Sequence, residues 1–418
     1  MELKRVVVTG LGSVNPLALN VEDTWKAIVD GKSGGAPITH FDTTDFKVKF
    51  ACEVKGFDPN QYFDRKEGRK LDRYAQYAMV AAAEAIKNAG LDLDKEDKDE
   101  IGVIVAAGIG GMGTLEEDLG YYYQHQELGP KFSPFFIPKM ISDIAAGQIS
   151  IKYGFRGPNY STASACASST NALIDAFNLI RLGKANAIIT GGAEAAITPS
   201  GVGGFVSMTA LSTRNDSPET ASRPFSASRD GFVMGEGSSI LVFEELQHAL
   251  DRGANILCEV VGGGLSADAY HITLPHPDGA RLVMQRALAD AGLQPQDVDY
   301  VNVHGTSTGA GDRSEAKAIQ MVFGDHAYKL NISSTKSMTG HMLGAAGATE
   351  ALICIETLLH GIVPPTINHQ DGDNDEEIDY NLNFTFNKAQ KRDVKVALSN
   401  TFGFGGHNAS VIVKKFEN

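Results

Sequence analysis

The chain has 418 residues, 43% of them apolar and 21% charged, a globular composition with material for large cores and no mark of wholesale disorder. Lys plus Arg number 37 against 51 for Asp plus Glu, and the net charge of −14 disfavours general binding to nucleic acid or an anionic membrane. Length predicts two to three domains at about 150 residues each. The opening MELKRVVVTGLGSVNP meets Gly, Asn and Pro too early for a signal-peptide core, and no apolar run reaches the ~18 residues of a membrane span. A cytoplasmic protein is expected, with no nucleic-acid or membrane partner.

Along the chain, short β-branched runs predict strands at 5–9, 101–106, 187–190, 239–243, 256–261, 300–304, 394–399 and 410–413. Helical periodicity predicts helices over 71–89, 167–183, 281–292 and 344–359, three of them running into a Gly. The alternation predicts α/β layers with mainly parallel pairing. KRVVVTGLG near the start and CEVVGGGLS near position 260 both open a strand–Gly–turn unit, which suits two similar halves, 1–255 and 256–418. The acidic run DGDNDEEID (371–379) reads as a solvated loop.

The four cysteines are widely spaced, without CxxC or finger spacing, so neither a disulfide framework nor a structural zinc is expected. Cys52, Cys258 and Cys354 have core-like apolar neighbours. Cys166 sits among small residues in YSTASACASSTNALIDAF, where a strand gives way to a helix. Free N–H groups and the helix dipole there stabilise a thiolate and can cradle an oxyanion. A small core cysteine under an Ala/Ser-rich helix is the competing reading.

Two histidines stand apart from the others. His304 ends YVNVH and begins HGTSTGAGD, at the C-terminal tip of a predicted strand. His341 lies in SSTKSMTGHMLGAAGATE, five residues after Lys336. Each alone favours an ordinary structural histidine; together with Cys166, each on a Gly/Ser/Thr loop after a strand, they suggest a nucleophile with two imidazole partners. SNTFGFGGHNASVIV (399–413) is either a tight hairpin or a flexible loop whose Phe402 and Phe404 wall a tunnel. GIGGMG (108–113) fits GxGxxG, but no strand-end acid follows at the required distance, so dinucleotide binding is not expected. Residues 65–73 carry five cations and two anions, either a solvated helix start or a dock for an acidic partner.

The segments TASACASS, VNVHGTSTGAGD, STKSMTGHMLGAAGA and NTFGFGGHN resemble the signature loops of the β-ketoacyl-[acyl-carrier-protein] synthases, and the resemblance runs over essentially the whole chain, closest to the type II class. It implies the thiolase fold: α/β, with duplicated βαβαβαββ halves in a five-layered αβαβα sandwich, as a homodimer. It implies condensation of an acyl group with malonyl-acyl carrier protein, with release of CO₂ and no required cofactor. By the same resemblance Cys166 takes the acyl chain, His304 and His341 serve decarboxylation, and Lys336 orients the site. The N–H groups of Cys166 and Phe402 form the oxyanion hole, and Phe402 is the gate. Thr306 and Thr308 hold the phosphopantetheine arm; Ile109, Phe136 and Phe205 line the acyl pocket; Lys66, Arg69 and Lys70 dock the carrier protein. Asn302, Glu350, Ser399 and Asn408 match residues that hold a structural monovalent cation in some relatives. Ser164 and His407 depart from the commoner Thr at their positions.

A degradative thiolase would need a second Cys in the C-terminal loop, and a chalcone-synthase-like enzyme would have Asn where His341 stands. A polyketide ketosynthase shares Cys-His-His, and the lack of carrier or acyltransferase segments in these residues favours fatty-acid synthesis. A non-catalytic partner subunit would lack the nucleophile.

Overall fold

The computed structural model describes residues 3–417. Ten strands form the main sheet: β1 (Val6–Val14), β2 (Ile101–Ala106), β3 (Asn159–Tyr160), β4 (Ala187–Glu194), β5 (Gly237–Glu245), β6 (Cys258–Ala267), β7 (Tyr300–Asn302), β8 (Asn331–Ser333), β9 (Val396–Gly403) and β10 (His407–Lys414). Their spatial order is β8-β7-β9-β10-β6-β1-β5-β4-β2-β3. From the centre outward one half reads β1, β5, β4, β2, β3 and the other β6, β10, β9, β7, β8, the same path shifted by five strands. The pairing senses match as well. β1–β5 and β5–β4 are antiparallel and β4–β2 and β2–β3 parallel, as are their counterparts in the second half. The sheet is therefore mixed, not mainly parallel: β5 and β10 each run against both neighbours, β10 as the second strand of a hairpin with β9.

Six helices complete five layers: α1 (Arg73–Ala89), α2 (Ile144–Tyr153), α3 (Ser168–Arg181), α4 (Pro277–Ala291), α5 (Gly309–Phe323) and α6 (Ala346–His360). α1 and α2 cover the outer face of the first half, and α4, with α5 beside it, covers the second. α3 and α6 lie between the halves and touch strands of both. Three apolar clusters fill the gaps, the middle one built from Leu173, Phe177, Leu352 and Ile355 against Val8, Ile188 and Val411. A middle layer with no solvated face explains why α6 is buried all round from Ala346 to Leu358, its few polar side chains included.

Most strands outrun their predicted limits because glycines that read as stops are contact points. A Cβ on Gly10 would lie 2.2 Å from the Ala85 carbonyl, and one on Gly12 2.0 Å from that of Ala81. Gly262 and Gly264 of β6 meet Ala287 and Val283 of α4 in the same way, at 2.6 and 2.3 Å. The echo between KRVVVTGLG and CEVVGGGLS is thus one packing solution used twice: bare strand backbone under an Ala-rich helix. α5 escaped prediction because its opening Gly-Ala-Gly-Asp reads as loop. The acidic run is not simply solvated, since Asp375 and Ile378 are buried. Among the described residues no helix is long and apolar enough to cross a membrane.

Candidate active site

Cys166 lies two residues before α3, just outside its first turn. Ala165 before it has a left-handed φ of 51°, unusual for a residue with a Cβ. The turn is locked by the Ser168 hydroxyl, which donates to the Ala165 carbonyl at 2.6 Å, and by the Ala167 N–H, which donates to Ser164 O at 3.1 Å. The strained turn leaves the sulfur facing a cavity of about 430 Å³.

His341 and His304 reach the same cavity from the second half. His341 follows a short helix, Lys336–Thr339, and its backbone is gripped on both sides: its N–H donates to Val233 O at 2.7 Å and its carbonyl accepts from Gly235 N–H at 2.8 Å. Its Nε2 lies 3.0 Å from Cys166 Sγ. His304 follows β7, with its N–H and that of Gly305 donated to the Glu315 carboxylate at 2.9 and 2.8 Å. The two imidazoles stand at 90° with centroids 5.3 Å apart. Neither Nδ1 atom has a hydrogen-bond partner among the described residues. Lys336 is buried, and its ammonium donates to Glu350.

Burial, then the Lys336 charge, hold both imidazoles well below their usual range, so they are neutral near pH 7. Burial pushes the Cys166 thiol up to about 12, against the lowering effect of Lys336 and of backbone N–H groups. The expectation of a resting thiolate at a helix start is therefore corrected. Desolvation outweighs the helix end, so the thiol keeps its proton near pH 7. A second correction concerns the oxyanion hole. Besides Cys166's own N–H, the group directed at the sulfur is that of Phe404, not Phe402. Phe402 still pairs with Asn408 in the β9–β10 ladder, whereas Phe404 begins the turn beyond β9. The segment is thus a hairpin whose aromatic rings wall the cavity: Phe402 packs on His304 at 5.6 Å and Phe404 faces Phe205 at 6.5 Å.

Thr306 and Thr308 line the cavity with hydroxyls 3.0 Å apart. Phe205 lines it too, but Ile109 and Phe136 do not. Ile109 is 42% exposed on the loop after β2, and Phe136 stacks on Phe132 at 5.2 Å in a separate aromatic patch. The GxGxxG loop is no phosphate cradle. The N–H groups of Gly108, Ile109 and Gly110 all donate to the buried Glu194 carboxylate, at 2.9 to 3.2 Å. Lys66, Arg69 and Lys70 are exposed and lie away from the cavity lining, on and just after the short helix Arg65–Gly68. Asp72 in that stretch turns inward to bind the N–H and hydroxyl of Thr114, which takes its charge off the basic face.

Of the four residues matched to a cation site, Asn302 and Ser399 are register partners on β7 and β9, and Asn302 Oδ1, Ser399 Oγ and Glu350 Oε2 are buried oxygens without hydrogen-bond partners among the described residues. Asn408 does not join them, because its amide donates to Asp268 at 2.7 Å. Glu194, Glu315 and Arg229 were missed by sequence reasoning. Each acts by gripping backbone groups remote in sequence, which leaves no local pattern.

Family models for the β-ketoacyl synthase N-terminal domain and C-terminal domain match residues 3–249 and 257–370. The chain is 48% identical to a 3-oxoacyl-[acyl-carrier-protein] synthase 2 of Synechocystis sp., over 100% of this chain and 99% of that one. The structure resembles the ishigamide ketosynthase/chain length factor with a TM-score of 0.92 and 33% identity, covering 99% of this chain and 100% of that one. It also resembles, with a TM-score of 0.90, 32% identity and the same coverage, a chain of a complex between a type II polyketide acyl-carrier protein and its ketosynthase bound to a hexaketide.

Proposed function

The chain belongs to the β-ketoacyl synthase family, and from that premise we infer the reaction its site performs: decarboxylative condensation of an acyl chain with malonyl-acyl carrier protein in fatty-acid synthesis, as a 3-oxoacyl-[acyl-carrier-protein] synthase of the type 2 class. The observation that carries the reading is the 3.0 Å approach of His341 Nε2 to Cys166 Sγ beside a second neutral imidazole, in a cavity walled by aromatic rings.

In the first half-reaction Cys166 attacks the carrier thioester carbonyl as His341 Nε2 takes the thiol proton. The oxyanion that forms accepts from the N–H groups of Cys166 and Phe404. The pantetheine thiol leaves with the proton, and the acyl chain stays on Cys166. In the second, the malonyl carboxylate departs as CO₂ and its bonding electrons remain on the thioester as an enolate. Neutral His304 and His341 each have one N–H, and donation of it to the enolate oxygen stabilises the negative charge there. The enolate carbon then attacks the acyl-Cys166 carbonyl, forming the new C–C bond and breaking the C–S bond, and the thiolate that leaves takes up one proton from solvent to restore the resting thiol. Lys336 favours the neutral form of both imidazoles.

Thr306 and Thr308 receive the pantetheine arm, and Lys66, Arg69 and Lys70 meet the acidic face of the carrier. No cofactor takes part in bond making. Asn302, Ser399 and Glu350 offer the hard oxygen donors that suit a monovalent cation, which would offset the Glu350 charge beneath the site. The exposed cluster of Tyr121, Tyr123, Phe132, Phe135, Ile137 and Ile141 supports burial against a second copy, giving a homodimer in which Ile109 and Phe136 meet an acyl chain. Four free, buried cysteines suit a reducing cytoplasm. Mass spectrometry after incubation with acyl carrier proteins of graded chain length tests the reading: a mass gain on Cys166 supports it, and an unmodified Cys166 at every length rejects it.

A further inference from the structure

The acidic run folds back onto the wall of the catalytic cavity. Asp373 accepts from the Ser228 N–H at 2.8 Å and from its hydroxyl at 2.6 Å, and its carbonyl accepts from Ala227 N–H at 2.9 Å. Asp375 is buried, with one carboxylate oxygen shared by two guanidinium groups, Arg229 Nη2 and Arg313 Nε, each at 2.8 Å. Its N–H donates to the Tyr380 hydroxyl, also at 2.8 Å. Burial would push this carboxyl up, but Arg313, the Glu377 N–H and Arg229 outweigh it and bring it to about 2. The neighbouring Glu376 and Glu377, by contrast, are exposed.

Arg229 forms the other end of the link. Its side chain is 1% exposed, yet it belongs to the cavity lining. It donates to Ser226 O at 2.6 Å, Thr308 O at 3.2 Å and Gly309 O at 2.9 Å, and pairs with Asp312 at 3.2 Å. Two of these carbonyls belong to the turn that presents Thr306 and Thr308. Within it Ser307 has a φ of 70°, a conformation that a non-glycine residue keeps only when its surroundings over-determine it. Ser307 is held directly, its N–H donating to Asp312 at 3.2 Å and its hydroxyl accepting from the Arg223 N–H at 3.0 Å. The buried Arg229 guanidinium pairs with that same Asp312 and holds the next two carbonyls, so it secures the turn at one remove. With one carboxylate removed, its hydrogen-bond geometry is free to relax.

We propose that Asp375 is a positioning residue: the segment 371–375 is a strap that fixes Arg229 and, through it, sets the Thr306 and Thr308 hydroxyls to receive the pantetheine arm. The inference rests on reading that turn as the pantetheine site. It makes a counter-intuitive claim about sign. A merely solvated acidic run on a protein that receives an acidic carrier would oppose docking, and removing a charge from it would lower KM. Loss of the strap raises it.

The test compares wild type, Asp375→Asn, the outward-facing control Glu376→Gln and a Thr306→Val/Thr308→Val double variant. For each, KM and kcat with malonyl-acyl carrier protein are measured, together with thermal midpoint and acylation of Cys166 by p-nitrophenyl hexanoate, a donor without pantetheine. Asp375→Asn is expected to raise KM about tenfold with kcat and the ester reaction each within about twofold. Glu376→Gln should match wild type. An unchanged or lowered KM in Asp375→Asn overturns the strap, as does an equal loss with both donors. If the threonine variant raises KM and Asp375→Asn does not, the strap fails and the pantetheine reading stands. If neither raises it, both fall.

Discussion

His341 Nε2 and Cys166 Sγ lie 3.0 Å apart although 175 positions separate them in the chain. The contact crosses the two halves of the sheet, because Cys166 is delivered by the turn before α3 and His341 by the loop before α6, the two helices of the shared middle layer. Each half therefore supplies part of a machine that neither holds alone, and the parts can be separated by substitution.

Cys166→Ala is expected to abolish acyl-enzyme formation and condensation while malonyl decarboxylation survives. Both imidazoles and the Phe404 N–H remain in place to hold the enolate. The check is ¹⁴CO₂ release alongside product analysis, and a Cys166→Ala protein that still condensed would remove the sulfur from its role.

Decarboxylation by that variant should be insensitive to pH between 6 and 8. The pKa of each imidazole is lowered well below 6.5, by burial and then by Lys336, so both stay neutral across this window. Activity should fall only on the acid side, as the imidazoles protonate and the balance of N–H donors changes. A profile that drops with a midpoint near 6.5 would show imidazoles titrating as they do in water.

Lys66→Glu with Arg69→Glu is expected to raise KM for carrier-protein substrates and to flatten its salt dependence. Both side chains are exposed, so each contact should contribute about two- to fivefold at low ionic strength and less as salt screens it. Acylation by a small ester should not change. Equal carrier kinetics in wild type and variant at low salt would leave this patch a solvated helix start.

Ile109→Phe should discriminate by chain length. The loop carrying Ile109 is clamped by its N–H bonds to Glu194, so a larger ring cannot be accommodated by sliding the backbone. Acylation of Cys166 by a C6 donor is expected to persist and by a C14 donor to fail, since each CH₂ kept from burial forfeits about 0.8 kcal/mol and the ring adds a clash. A uniform loss at both lengths would make Ile109 ordinary packing rather than pocket wall.

Much of the molecule was legible in the chain itself. The main strands stood out as short β-branched runs, because strands buried on both faces become continuously apolar, and α1, α3 and α4 stood out by the 3.6 repeat that one-sided burial imposes, with α6 a longer small-residue and apolar run. Cys166, His304 and His341, which meet at one cavity, could be picked out because they stand in small-residue, glycine-rich loops of the kind that admit a substrate. Other features had no local signature. The sense of strand pairing depends on where long connections return. The N–H that faces the sulfur depends on where the β9–β10 ladder stops, and it stops one residue before Phe404. A helix-start cysteine reads as a thiolate, yet its proton is governed by desolvation, a property of everything packed around it. The acidic run read as solvent-facing because charge density is counted along the chain. Only the folded chain brings Arg229 and Arg313 to Asp375 and turns a repulsive stretch into a buried tie. Local pattern records which face of an element is buried, whereas the partners of a buried charge are set by contacts between residues far apart in sequence, which only the tertiary structure decides.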